Sequence, residues 1–351
     1  MIESMKRFLG GMLAFGLCLS SGAQSKPIPV KVVVVAAFEV GADTGDAPGE
    51  LQFWVERDHL DKSYDVAGAG HAVWMNDAGE MAVLTGEGPA HAAATMMAVG
   101  LDPRFDFSHA YWIVAGIAGA NPGRASLGSA VWARWVVDGD LSYQLDGRDI
   151  PAGWTTGTIP LGKSRPYEQP VNAQEGQVFA LNAALAEWAF ERTRGTRLMD
   201  SAEMHAAEKD YEGAAAQKAS FVLLGDELAS ARYWHGARME AWAREWVRYF
   251  TDGKGEYATS AMEDAGTLTA LKRLGDAGRV DWRRVMVLRT VSNYDREARG
   301  QTAAESLQHQ RASKSPAFLP AVENAYRVGG SVAGEILWHW EKYEQGIPGT
   351  K

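Results

Sequence analysis

The sequence predicts an α/β fold: a parallel or mixed central sheet with helices on both faces, formed as one domain. Three observations predict it. Continuous β-branched and apolar runs recur at Val30–Phe38, Ala110–Ala115 and Val285–Val291, as strands buried on both faces require. Between them lie helical stretches: the Ala-rich 90–100, 238–250 with its aromatic stripe, and a helix rich in Ala, Leu and Thr that opens at Met262–Gly266. No internal repeat or Pro/Ser-rich linker divides residues 30–345, so these elements belong to one unit.

In chain order, residues 1–23 read as an export leader. Lys6-Arg7 precede an apolar run from Phe8 to Leu19, and Ser21-Gly22-Ala23 supply the small residues of a cleavage site. Twelve apolar residues are too few to cross a bilayer, which takes about 20. The reading is an exported protein, periplasmic or secreted. Cys18, the one cysteine, lies inside this leader, so a mature chain has neither disulfides nor thiolate metal ligands. No metal site is expected, and no other run is long enough to span a membrane. A net charge of −9 without a basic stripe excludes nucleic acid as a partner.

Val30–Phe38 is the first central strand, followed by Glu39 and a loop rich in Gly and Asp that ends at Phe53-Trp54. That loop reads equally as a ribose or phosphate loop closed by an aromatic, or as a plain turn with a core tryptophan. Val66–Trp74 and Met81–Leu84 suggest a hairpin turning at Asn76–Gly79. Thr85-Gly86-Glu87-Gly88-Pro89 then stops a strand and starts a helix, where backbone amides can meet an oxyanion. Ala110–Ala115 is a buried strand that gives way to Gly116–Pro122, and Leu127–Val137 is a further strand. Residues 138–172 read as an irregular excursion, Glu175–Arg192 as a helix, and Phe221–Leu224 as a short apolar segment broken by Gly225-Asp226. The Trp242, Trp246, Tyr249 and Phe250 stripe reads as core packing, and 302–309 and 318–341 as helices laid on the sheet, with His339 structural.

The chemistry concentrates in residues 256–295. Met262-Glu263-Asp264 open a helix, and the strand Val285–Val291 ends in Ser292-Asn293-Tyr294-Asp295. Polar side chains at the carboxyl end of a buried strand are where ligands gather in open α/β sheets.

These residues resemble the nucleoside phosphorylase superfamily, which has Met-Glu before one helix and Arg-x-x-Ser-Asp at the end of a later strand. More closely, VVVVAAFE, TGEGPAHAAATMMAVG, GIAGANPGRASLGSAVWARWVVDG, SAMEDAGTLTAL and LRTVSNYD, spread over 32–295, resemble the purine nucleoside permease family, which shares that fold. The resemblance implies a nucleoside phosphorylase-like domain over 30–345 that binds a purine nucleoside or nucleobase in nucleoside uptake, with glycosidic bond cleavage by phosphate or water. The alternative is a non-catalytic periplasmic receptor that feeds a membrane carrier. A second copy of the chain is a further candidate partner. No cofactor is implied, and phosphate stays open as a co-substrate.

Residue by residue, the resemblance assigns Glu263 to the ribose hydroxyls with Met262 packed on the sugar. Thr85, Gly86, Gly88 and His91 form the turn at the ligand, Ala118 and Gly119 lie along the nucleoside, and Ser292 and Asn293 meet the base. Glu39 joins the binding set, and Asp295 is a reserve acid behind Asn293 and Glu263 as catalytic groups. Two departures stand out. Asparagine replaces the aspartic acid at 293 and cannot serve as a general acid. No arginine stands between Arg57 and Arg104, where many superfamily phosphorylases carry one.

Overall fold

The expected strands do assemble side by side, and two groups of them run in opposite directions. A computed structural model describes residues 26–312 and 315–350 of the chain, so the export leader expected at 1–23 lies outside the described residues. A short strand β1 (Ile28–Pro29) precedes β2 (Val32–Ala36), β3 (Lys62–Tyr64), β4 (Val73–Met75) and β5 (Glu80–Leu84). Then come β6 (Phe105–Asp106), β7 (Tyr111–Ala120), β8 (Ala130–Asp138), β9 (Ser142–Gln144), β10 (Thr158–Pro160) and β11 (Val178–Ala180). The last three are β12 (Val222–Ala229), β13 (Tyr257–Ala261) and β14 (Val285–Tyr294). Strands β1 and β6 pair with each other, as do β9 and β10; the other ten form the main sheet.

In that sheet β5, β2, β7 and β14 are parallel, with β4 and β3 added antiparallel beyond β5. Strands β8, β12 and β13 are parallel to one another and opposed to the first group. Strand β14 pairs with both β7 and β8, so β7–β14–β8–β12–β13 closes into a ring of five strands.

The run Val32-Val33-Val34-Val35 explains itself here. Side chains alternate across a strand, so Val33 and Val35 enter one core with Met96, Leu268 and Leu274, and Val32 and Val34 enter another with Ile113, Trp132 and Val328. The first core lies under α2 (Pro89–Leu101) and α6 (Asp264–Asp276). The second lies under α3 (Ala183–Thr193) and α8 (Phe318–Trp338). The stripe of α5 (Ala237–Phe250) buries Trp242, Trp246, Tyr249 and Phe250 against Val137 and Leu228, as core packing. Helices α1 (Gln52–Arg57), α4 (Ala202–Glu208), α7 (Ala303–Ala312) and α9 (Trp340–Gln345) complete the set.

Several local expectations need correction. Val178–Ala180 is an edge strand on β8, and the helix expected from Glu175 begins only at Ala183, capped by the Asn182 side chain. Gly225-Asp226 do not break β12. The Asp226 carboxylate accepts the amides of Arg134, Trp135 and Glu256, which fills a bulge and lets the strand run on to Ala229. The Gly116–Ala120 stretch continues β7 as strand. In the hairpin, the strand expected over 66–74 is confined to Val73–Met75. Trp54 is a core residue, 1% exposed and packed edge-on against Tyr326.

Candidate functional site

Strand β7 pairs with β2 only over Tyr111–Val114 and then runs on between β14 and β13. Its carboxyl half, Gly116–Ala120, therefore forms the floor on which the ends of β13 and β14 meet. Small residues are required there. A side chain at Gly116 would collide with the Arg289 guanidinium and the Glu50 carboxyl. Strand β14 has a bulge at Ser292, where Val291 pairs with Ala118 and Asn293 already pairs with Gly119. The extra residue brings Asn293 over Gly119, 3.3 Å from where a Cβ would stand, with the Asp295 Cβ 3.8 Å away.

Beneath this floor lies one buried cation among carboxyl groups. Arg289, 2% exposed, makes a two-pronged ion pair with Asp264, with Nε–Oδ2 at 2.9 Å. Glu227 lies 3.7 Å and Glu50 3.9 Å from the same guanidinium. Burial works against the arginine's charge, but Asp264 and Glu227 outweigh it and keep the group protonated. Three carboxyls cannot all ionise beside one cation without water. Burial raises Glu227 well above the usual carboxylate range, and neither of its oxygens has a hydrogen-bond partner among the described residues. Burial pushes Glu50 up to about 7, although it accepts the amides of Ala37 (2.8 Å) and Ile117 (2.7 Å).

Glu263 is the residue just before α6, and its carboxyl reaches across to accept the Gly88 amide at 3.0 Å. Burial raises its pKa while Arg289 pulls it back down. The Met262-Glu263 pair and the Thr85–Gly88 turn, 175 residues apart, are thus brought together. Thr85 is buried, its carbonyl held by the Thr95 hydroxyl, while Gly86 and Gly88 take φ of 83° and 90°, open to glycine. His91 is exposed on the first turn of α2, with its Cβ beside Gly86. Met262 is half-buried.

On the other side, a cleft of about 440 Å³ is lined by Ile117, Ser292, Asn293, Tyr233 and Phe318, a size suited to a small organic ligand. The Ser292 hydroxyl donates to the Ala118 carbonyl and to Asn293 Oδ1. Asn293 Nδ2 donates to the Tyr233 hydroxyl (3.0 Å) and the Tyr294 carbonyl (3.1 Å). A ligand acceptor that meets Asn293 therefore takes the place of the Tyr233 oxygen. Asp295 is 3% exposed and takes a hydrogen bond from Tyr257; burial pushes it up to about 7. Its Oδ1 has no partner among the described residues.

The structure sets Glu39 apart from this assembly. Among the described residues its carboxylate accepts from the amides of Val40, Gly49, Leu51 and Gln52, so it clasps the Gly/Asp-rich loop at the start of α1. That clasp is what delivers Glu50 to the floor. Glu50, Asp264, Glu227 and Tyr233 carry the site's geometry, yet sequence reasoning assigned them no role. Glu50 lies at the end of a loop with no motif, and Tyr233 looks like any loop aromatic. The one signal was charge inside apolar runs: Asp264 opens an Ala/Leu helix, and Glu227 interrupts a strand.

A family model described as purine nucleoside permease matches residues 29–348. A probable purine nucleoside permease of Schizosaccharomyces pombe is 33% identical over 264 residues, covering 73% of this chain and 75% of that protein. A purine nucleoside permease of Candida albicans is 32% identical over 269 residues, covering 75% of this chain and 66% of that one, just under two thirds. Among solved structures, a 5′-methylthioadenosine/S-adenosylhomocysteine nucleosidase of Helicobacter pylori superposes with a TM-score of 0.54 at 15% identity, over 87% of this chain and 99% of that one. The futalosine hydrolase of Helicobacter pylori superposes with a TM-score of 0.51 at 14% identity, over 87% and 98%. These two likenesses show the fold: one mixed α/β domain of the nucleoside phosphorylase type.

Proposed function

The chain belongs to the purine nucleoside permease family, and from that premise we propose that it binds purine nucleosides across Gly116–Gly119 and cleaves the bond between base and ribose. One observation carries the reading. Two buried carboxyl groups pushed up to about 7, Glu50 and Asp295, flank this bare strand segment, one at Ile117 and the other at Gly119. Two residues along a strand is roughly 7 Å. Groups that titrate near neutrality suit proton transfer at neutral pH. In this reading Glu50 takes a proton from the attacking group and Asp295 is the proton reserve on the base side. Glu263 holds the ribose hydroxyls and favours the positive charge that develops on the sugar. Asn293 donates to O6 or N7 of the base once Tyr233 moves aside.

The test is purified full-length protein with inosine, following release of hypoxanthine. Release that is abolished in both Glu50→Gln and Asp295→Asn supports the assignment; release unaffected by either removes it. A second reading, a receptor that hands nucleosides to a membrane carrier, is favoured by Asn293, which cannot act as an acid and has both N–H groups engaged. Tight inosine binding without release of base would select it. Among the described residues no helix is long and apolar enough to cross a membrane, so in either reading we assign the crossing itself to a separate carrier. We also propose that the protein acts after export. Fractionation of expressing cells checks this: the protein should appear in the periplasm or medium without residues 1–23, and retention in the cytosol overturns it.

A further inference from the structure

The two glycosyl-transfer chemistries that this site could support differ in one reactant, water or inorganic phosphate, and phosphate needs uncompensated positive charge. We infer that Asp264, by pairing with Arg289 beneath the floor, denies phosphate its cation on the ribose side, so that water is the co-substrate admitted beside the ribose. The inference rests on the cleavage reading above and specifies its second substrate.

Three features carry it. First, Arg289 is the cation under the ribose side of the floor, and its Nε and Nη2 already donate to the Asp264 carboxylate. That single pair cancels its charge. Any ionisation of Glu50 or Glu227, both within 4 Å, then makes the pocket negative. Second, Glu227 is fully buried 3.7 Å from the same guanidinium, and burial holds it protonated, so any proton it loses turns the pocket negative. Third, the helix amino end where an oxyanion would dock is occupied. Glu263 holds the Gly88 amide, so a carboxylate stands where phosphate oxygens would seek donors. Arg311 also lines the cleft, but from α7 next to Gln310, which accepts from Tyr233, on the Asn293 side.

With water as reactant, its oxygen bonds to C1′ of the ribose as the C1′–N9 bond breaks. The bonding pair leaves with the purine, which takes a proton from Asp295, while one proton of the water goes to Glu50 and the other stays on the new C1′ hydroxyl. The products are free ribose and free base.

The test uses the full-length protein in two arms at matched ionic strength. In the first, inosine is supplied with and without inorganic phosphate, and products and affinity are measured. Free ribose in both conditions is expected, with unchanged affinity; ribose 1-phosphate overturns the inference. In the second, inorganic phosphate alone is titrated calorimetrically. Wild type should give no binding, and binding overturns the inference even if inosine proves not to be cleaved. Failure to bind or cleave inosine, by contrast, removes the cleavage reading and leaves the phosphate titration to decide exclusion. Asp264→Asn, which keeps the shape and removes the charge that cancels Arg289, should raise phosphate affinity about tenfold or more, whereas Glu227→Gln removes no charge and should leave it unchanged. A folded Asp264→Asn variant that stays blind to phosphate overturns the role given to Asp264. Should it not fold, the wild-type arms decide.

Discussion

Replacing Glu50 by glutamine separates its charge from its shape. The buried carboxyl sits at about 7 against an ordinary 4.5, so the folded chain holds this proton more tightly than the unfolded chain. The sign follows from that. Its contribution to stability is complete below pH 4.5 and is lost as pH rises to about 7. At about 1.4 kcal/mol per pH unit, the loss over that window is on the order of 3 kcal/mol. Glutamine does not titrate, so Glu50→Gln escapes this loss. It keeps one acceptor for Ile117 or Ala37 but turns an NH2 towards the other amide, which costs about 1–3 kcal/mol at every pH. The substitution should therefore destabilise at pH 4.5 and be neutral to slightly stabilising at pH 8, because the other titrating groups cancel in the difference to first order. Urea denaturation of both proteins at the two pH values measures it. An equal stability gap at both would show that Glu50 is ionised in the fold at low pH, and that the electrostatics drawn around Arg289 are mistaken. The same variant should lower base release about a hundredfold or more if Glu50 is the base.

Glu263→Ala should weaken inosine binding by about 1.5–3 kcal/mol and hypoxanthine binding far less, because only the nucleoside brings hydroxyls to it; calorimetry with the two ligands decides, and equal losses refute a ribose role. Asn293→Asp should shift the inosine-to-adenosine preference towards adenosine by about tenfold or more, since a protonated aspartic acid can donate a proton to N7 and asparagine cannot; paired affinities, or turnover, in both proteins check it, and an unchanged ratio takes Asn293 away from the base. Gly266→Ala should destabilise by about 1–3 kcal/mol or prevent folding, because its Cβ would collide with the Pro89 carbonyl where α6 crosses α2; thermal unfolding measures this, and a wild-type Tm would refute the packing.

The strands that bury both faces were legible because Val32–Val35 and Val285–Leu288 have no polar alternation to disguise them. The pairing of Met262-Glu263 with Thr85–Gly88 was legible only through family resemblance, since 175 residues separate Gly88 from Glu263. Glu50 was illegible for a similar reason. What makes it unusual is Arg289, 239 residues later, and no local pattern reports a partner at that distance. Val178 and Leu181 show the limit of periodicity. Their spacing suits a helix, yet Val178 starts the Val178–Ala180 edge strand and Leu181 only follows it, because β8 offers an open edge there. Gly225-Asp226 misled in the opposite sense, as a breaker whose carboxylate supplies acceptors to three backbone amides that the bulge would otherwise orphan.

The ring of five strands sets an order of events for the nascent chain. β7 and β8 are complete by residue 138, but the strand that bridges them is not made until residues 285–294. Until then each offers a bare ladder edge, the kind that recruits wrong partners. Contacts so remote in sequence also form slowly, because a long loop must close before they can pay back its entropy. The bridging strand itself carries Arg289, Ser292 and Asn293. Ring closure and the arrival of the cleft's charge are thus one event, and a chain stalled before it is both sticky and without a site.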